Sequence, residues 1–264
     1  MKTKIAVNGA CGRMGRRIVQ LAHEDATLKI TAAIDSAAHP DHGKDIGEAC
    51  RLGALGVPVT SDIPLGAHVD VLIDFSTPEG TMGVLKTCID RKIPIVVATT
   101  GLSEAQKRDI EGAAHHTAVL MAPNMSLVVN VLYKLVQQAG AALKDKGFDV
   151  EIIERHHRFK KDSPSGTALH FAQVVQDAMG TMEITHGREG LVGERPRMEI
   201  GMHAVRSGDN VGEHTILFST LGETMELVHK GHTTDAYVRG ALQAAKFLAT
   251  KGPGRYSMND VLGL

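Results

Sequence analysis

The chain has 264 residues, with 29 Lys and Arg against 30 Asp and Glu, and a formal net charge of −1. That balance gives no electrostatic pull toward nucleic acid or an anionic membrane, and with no Trp, 3 Tyr and 6 Phe there are few rings for stacking on bases. No apolar run reaches the roughly 18 residues of a bilayer span, no signal peptide is expected, and Cys11, Cys50 and Cys88 lie far apart without a C-x-x-C pair, which points to the cytoplasm rather than to a disulfide framework.

The first half alternates strand-like and helix-like segments. Ile5-Ala6-Val7 is a short apolar run before Gly9, and residues 15–24 carry Ile18, Leu21 and Ala22 at helical spacing. Residues 28–34 alternate as a strand. Residues 69–75 form a nearly continuous apolar strand, suited to a parallel sheet covered on both faces, and 95–98 and 118–121 repeat the pattern. Ser103-Glu104-Ala105-Gln106 is a capping box that starts a helix. This repetition predicts an α/β fold, a Rossmann-like doubly wound parallel sheet over residues 1–125.

The pattern changes near Asn124. A long helix is expected over 126–146, stopped by Gly147, and then a strand over 148–154. A second helix is expected over 164–179, with Ser163 as cap, Pro164 in its first position and Gly180 beyond its end. Three antiparallel strands are expected over 197–230, with turns at 207–210 and 221–223, before a last helix over 234–250. Residues 126–234 thus read as an α+β domain carrying a mostly antiparallel sheet. The allegiance of the last helix stays open at this level.

Gly9-Ala10-Cys11-Gly12-Arg13-Met14-Gly15 follows the first strand and opens the first helix. Glycine there lets the backbone turn tightly and lets a pyrophosphate approach the helix N-terminus. Asp35, 20 residues beyond Gly15, stands where a carboxylate accepts hydrogen bonds from an adenine ribose. An ordinary βα turn is the bland alternative, and the strand, the helix and Asp35 together weigh against it. Phe75-Ser76-Thr77-Pro78-Glu79-Gly80 and Ala98-Thr99-Thr100-Gly101 follow later strands and should border the same crevice, although Ser76-Thr77-Pro78-Glu79 would equally serve as a helix cap.

Residues 154–167 hold the densest polar chemistry: His156, His157, four cations (Arg155, Arg158, Lys160, Lys161) and a Ser165-Gly166-Thr167 helix start. A small dicarboxylate would find cations and free N–H groups together there. Histidine can donate a proton near neutral pH, and lysine can stabilise developing negative charge. Adjacent His156 and His157 point to opposite sides of an extended segment, with no further ligand at metal spacing, so no metal is expected. Cys11 reads as a small residue of the turn rather than a nucleophile, and His115-His116 as cations at a helix end.

Taken together these motifs resemble the family of 4-hydroxy-tetrahydrodipicolinate reductases. The resemblance rests on residues 9–15, on the pattern H-H-x-x-K-x-D-x-P-S-G-T-A over 156–168, and on Asp74-Phe75-Ser76 with Pro78-Glu79. It extends to Thr99-Thr100-Gly101, Asn124-Met125-Ser126 and Val211-Gly212-Glu213-His214-Thr215, in order and over nearly the whole chain. It implies reduction, with NADH and/or NADPH, of the cyclic imine made from aspartate semialdehyde and pyruvate, in the diaminopimelate route to lysine. It implies that His156 is the proton donor or acceptor and Lys160 its cationic partner, and that His157, Gly166 and Thr167 hold the substrate carboxylates with Ser165 close by. Gly9, Ala10, Cys11, Gly12, Arg13, Met14, Asp35, Ala98, Thr99, Thr100, Ala122, Pro123, Asn124 and Met125 would line the cofactor. It further implies a homotetramer built through the second domain's sheet, and a segment 235–264 that returns to the first domain.

Three positions depart from the family pattern: Ala98 and Val128 stand where Gly is usual, and Ser36 follows Asp35 where some members carry an Arg for a 2′-phosphate. Two other functions compete. One is a different NAD(P)-dependent dehydrogenase, acting on an amino acid or sugar, against which the H-H-x-x-K segment argues. The other is a non-enzymatic nucleotide sensor, against which intact His156 and Lys160 argue.

Overall fold

The computed structural model describes residues 2–180 and 182–264. In chain order the elements are β1 (Thr3–Asn8), α1 (Arg13–Glu24), β2 (Leu28–Ile34), α2 (Ile46–Ala49), β3 (Val59–Thr60), β4 (Val71–Asp74), α3 (Pro78–Asp90), β5 (Ile95–Val97), α4 (Glu104–Gly112) and β6 (Ala118–Met121). There follow α5 (Leu127–Leu143), β7 (Asp149–His156), α6 (Gly166–Met179), β8 (Glu183–His186), β9 (Glu199–Arg206), β10 (Gly212–Thr220), β11 (Glu223–Gly231), α7 (Asp235–Leu248), β12 (Gly254–Tyr256) and α8 (Met258–Leu262). Two compact units result, Met1–Leu127 with Asp235–Leu264, and Val128–Thr234. Among the described residues no helix is long and apolar enough to cross a membrane.

The first unit holds a seven-stranded sheet in the order β12-β6-β5-β4-β1-β2-β3, with every pairing parallel. Strand alternation sends Ile5 and Val7 into one buried layer with Ile18 of α1 and Ala241 of α7. Ala6, Leu72 and Ile95 enter the opposite layer with Val84 of α3 and Ile110 of α4. The strand order reverses at β1, between β2 and β4, so the loops after β1 and β4 diverge at the carboxyl end of the sheet, where α/β folds bind ligands. The Thr77 hydroxyl caps α3 by accepting from Gly80 N–H at 3.1 Å, so this loop does serve as a cap. The returning α7 packs by small side chains: a Cβ on Gly240 would lie 1.7 Å from the Met125 carbonyl oxygen. Arg17 grips Asp235 through two bonds of 2.7 Å, and Lys246 reaches Asp25 at 2.6 Å.

The second unit packs α5 and α6 on one face of a five-stranded sheet in the order β11-β10-β7-β9-β8. Val129 and Val136 of α5 and Phe171 and Val175 of α6 meet Val150, Ile152, Ile200, Ile216 and Phe218 in its core. The sheet is mixed, with two antiparallel and two parallel pairings. The expected meander over 197–230 is corrected: β10 and β11 form the hairpin, but β9 pairs in parallel with β7 on the side away from β10. β8, absent from the sequence reading, adds the outer parallel edge. Alternation reports a strand's buried face but not its partner, and neighbours in sequence pair only about two-thirds of the time. The start of α6 is corrected too. Ser165, not Ser163, is its cap, because the Ser165 hydroxyl accepts from Ala168 N–H at 3.2 Å, and Gly166 rather than Pro164 is its first residue. α5 ends at Leu143, one turn before the expected stop.

Candidate active site

In the first unit the glycine-rich turn is held at backbone thickness. Gly9 has φ +73°, and a Cβ there would lie 2.6 Å from the Phe75 carbonyl oxygen. A Cβ on Gly15 would lie 2.0 Å from the Gly9 oxygen. Only glycine fits both positions. α1 starts at Arg13 with Gly12 in the capping position and no side-chain oxygen on its first N–H groups, which leaves them for an anion. The cradle therefore fits a dinucleotide pyrophosphate. Ala10 and Cys11 are buried, Met14 is half-buried and Arg13 is exposed.

Asp35 closes this turn. Its Oδ2 accepts from Cys11 N–H and its Oδ1 from Ser36 N–H, both at 2.8 Å. Burial, reinforced by the Asp35 charge, pushes the Cys11 thiol up to about 11, so it remains a thiol at neutral pH. Arg16 donates to the Cys11 carbonyl at 2.9 Å, to the Ala49 carbonyl, and to Asp41 at 2.5 Å. Cys11, His39 and Asp41 bring ligand atoms within 4.8 Å of one another. Arg16 and Lys44 already neutralise Asp41, however, and that charge balance disfavours a cation there.

Asp74, fully buried at the end of β4, organises the neighbouring loops. It accepts from Asn8 Nδ2 at 2.8 Å, from the hydroxyls of Ser76 and Thr81 at 2.5 Å, and from the Thr99 hydroxyl at 2.8 Å. One carboxylate thus pins the ends of β1, β4 and β5. Ala98 follows β5 by donating its N–H to the Asp74 carbonyl at 2.9 Å, and Thr100 is exposed. Ala122 and Asn124 are buried and Pro123 is exposed, with Asn124 Oδ1 accepting from Ser126 N–H at 2.8 Å. Met125 lies in the hydrophobic core, with its carbonyl packed against Gly240 of α7.

In the second unit, β7 carries Val150, Ile152, Glu154 and His156 on one buried face. The apolar half of that face supports the core, and its polar end meets the start of α6. Glu154 is fully buried. Its Oε2 accepts from His156 Nδ1 at 2.6 Å and from Arg206 Nη1 at 2.7 Å. Its Oε1 accepts from Ser165 N–H at 2.9 Å and from Arg206 Nη2 at 2.7 Å. Burial alone would raise its pKa; the bonds from His156, Arg206 and Ser165 overcome that and hold the carboxyl at about 2. Opposite Glu154 in the sheet is His214, whose Nε2 lies 3.3 Å from the Ser165 hydroxyl. Burial first, and then the nearby His156 and His229, push His214 down to about 3, so it is neutral.

The structure brings His156 and Ser165 together on one carboxylate. Gly166 is exposed, and a Cβ on it would meet nothing within 4 Å. Thr167 is half-buried in the same turn. The Nδ1 of His157 is buried and lacks a hydrogen-bond partner among the described residues. Lys160 is paired with Asp162 at 2.8 Å. Glu154, Arg206 and His214 were missed as site residues. The signal for Glu154 was a carboxylate at strand spacing from Val150 and Ile152, and for His214 the unexplained Val211-Gly212-Glu213-His214-Thr215 motif.

Two family models match the chain, "Dihydrodipicolinate reductase, N-terminus" over residues 3–125 and "Dihydrodipicolinate reductase, C-terminus" over 128–262. A protein of Rhodopirellula baltica named 4-hydroxy-tetrahydrodipicolinate reductase is 48% identical, over 98% of this chain and 96% of its own. One of the same name from Syntrophus aciditrophicus is 44% identical over 98% of both chains. The solved structure of a dipicolinate-bound dihydrodipicolinate reductase from a Paenisporosarcina species superposes with a TM-score of 0.77 at 24% identity, covering 97% of this chain and 98% of that one, and so shares its fold.

Proposed function

The chain belongs to the dihydrodipicolinate reductase family, and on that premise we propose how its residues divide the chemistry. Its reaction is the reduction of the cyclic imine derived from 4-hydroxy-tetrahydrodipicolinate to tetrahydrodipicolinate, in the diaminopimelate route to lysine. Bound NAD(P)H supplies the hydride. The turn from Gly9 to Met14 would hold the pyrophosphate and Asp35 the adenine ribose. Ala98, Thr99, Thr100 and residues 122–125 would line the nicotinamide end, with Asp74 keeping the β1, β4 and β5 loops in place.

In the second unit, Ser165, Gly166 and Thr167 receive a substrate carboxylate at the N-terminus of α6, with His157 beside them. His156 transfers a proton at Nε2, and Lys160 exchanges Asp162 for the substrate as negative charge develops on the ring. The observation that carries this reading is the shared carboxylate of Glu154, which holds His156 and the cap of α6 as one piece. The test is loss of absorbance at about 340 nm, that of reduced nicotinamide, while the imine is formed in situ from aspartate semialdehyde and pyruvate. No imine-dependent oxidation would overturn it.

The family resemblance also supports a cytoplasmic homotetramer joined through the outer face of the five-stranded sheet, where Val205 and Val228 are exposed. Light scattering after size exclusion reads the mass directly, and a monomer at working concentration would refute that assembly.

A further inference from the structure

Resting on the reading of His156 as the proton-transferring group, we propose that Glu154 is the positioning residue that locks the His156 tautomer and ties it to the anion-binding start of α6. An ionised carboxylate can only accept hydrogen bonds, so His156 Nδ1 must carry a proton in both charge states of the ring. Proton exchange is thereby confined to Nε2. The Nε2 end lies against the backbone of Gly212, where a Cβ would stand 2.9 Å from it, so the Gly212 position keeps room at the reacting atom. When the proton moves, the Nε2–H bond breaks, a bond from hydrogen to the substrate forms, and the imidazolium becomes the neutral Nδ1–H imidazole. A proton taken up from solution then restores the imidazolium, so that each turnover consumes one hydride and one proton.

The carboxylate is suited to this task because it has no slack. Each oxygen accepts one bond from Arg206 and one from a site element, His156 on Oε2 and Ser165 N–H on Oε1. Arg206 balances the charge that burial would otherwise penalise. A glutamine of the same shape cannot reproduce the set. Its amide nitrogen would face either His156 or Ser165 N–H, donor against donor. The imidazole would then turn its proton to Nε2, or the cap of α6 would shift.

The experiment uses the full chain with NADH and the imine formed in situ, comparing wild type, Glu154→Gln and Glu154→Asp. In Glu154→Gln, kcat should fall at least about tenfold, as for a mispositioned acid–base group. The KM for the imine should rise and that for NADH should stay within about twofold. The ¹⁵N spectrum of His156 should show the Nδ1–H form at neutral charge in the wild type and a shift toward Nε2–H in Glu154→Gln. Glu154→Asp, which keeps the charge, should recover part of kcat and the Nδ1–H form. Wild-type kcat in Glu154→Gln, or a fall in kcat with both the tautomer and the KM for the imine unchanged, overturns the proposal. If Glu154→Gln does not fold, a wild-type His156 without the Nδ1–H form overturns it by itself. A His156→Ala variant with wild-type kcat would instead overturn the catalytic assignment of His156, a separate outcome from the tautomer measurement.

Discussion

The Asp35 carboxylate accepts a hydrogen bond from the backbone N–H of Cys11 at 2.8 Å, so the end of β2 and the glycine-rich turn share one fixed negative charge. On the reading proposed above, that charge stands where a dinucleotide's adenine ribose would sit. It welcomes ribose hydroxyls and repels a 2′-phosphate unless a cation intervenes. Ser36 offers none, and Arg16 is already held by Asp41 and the Cys11 carbonyl.

NADH should therefore serve at least as well as NADPH by kcat/KM. Ser36→Arg should move the ratio toward NADPH and leave the KM of the imine unchanged, since only the adenine end is altered. Steady-state kinetics with both nucleotides at one ionic strength is the measurement, because salt screens the phosphate interaction. A wild-type preference for NADPH above about tenfold, roughly 1.4 kcal/mol, would refute this account of Asp35.

His156→Ala and Lys160→Ala should each lower kcat by roughly 10²-fold or more, the usual loss for an acid–base or charge-stabilising group. Affinity for NADH, followed by its fluorescence, should barely change. Wild-type kcat in both variants would remove these residues from the mechanism.

Gly166→Val should weaken substrate binding without harming the fold. A Cβ at this position meets nothing within 4 Å, so the added side chain would occupy the space proposed for the substrate carboxylate rather than displace protein. The KM of the imine and the inhibition constant of pyridine-2,6-dicarboxylate should both rise, with the melting temperature nearly unchanged. Inhibition identical to wild type would move the carboxylate site elsewhere.

Asp25 should lend the first unit a pH-dependent increment of stability. Hydrogen bonds from Lys246, then from Thr27, hold its carboxyl at about 2 against an ordinary 3.8. The folded value is the lower one, so the increment is present above about 3.8 and fades as pH falls toward 2. Asp25→Asn should lower Tm near neutral pH by at most about 3 °C, since a partly exposed pair contributes less than about 1 kcal/mol. The two melting curves should converge between pH 4 and 2. A gap as large at pH 2 as at neutral pH would show that the pair contributes nothing through its charge.

What the sequence determined by itself is local. The strands at 28–34 and 118–121, the capping box at Ser103 and the glycine-rich turn are written within a few neighbouring residues, because alternation, capping and positive φ are properties of short segments. The His156–Thr167 segment was legible in the same way. Tertiary structure decided the partners. Glu154 lies in a run of charged residues and reads there as one more of them, yet strand alternation buries it and the parallel pairing of β7 with β9 delivers Arg206 from 52 residues away. Ser165 comes to the same carboxylate from 11 residues on, after the chain has turned to begin α6. Asp74 gathers Asn8 from β1 and Thr99 from the loop after β5 in the same manner. A buried carboxylate is tolerated only when distant donors converge on it, and that convergence depends on which strands lie side by side, a choice no local pattern encodes.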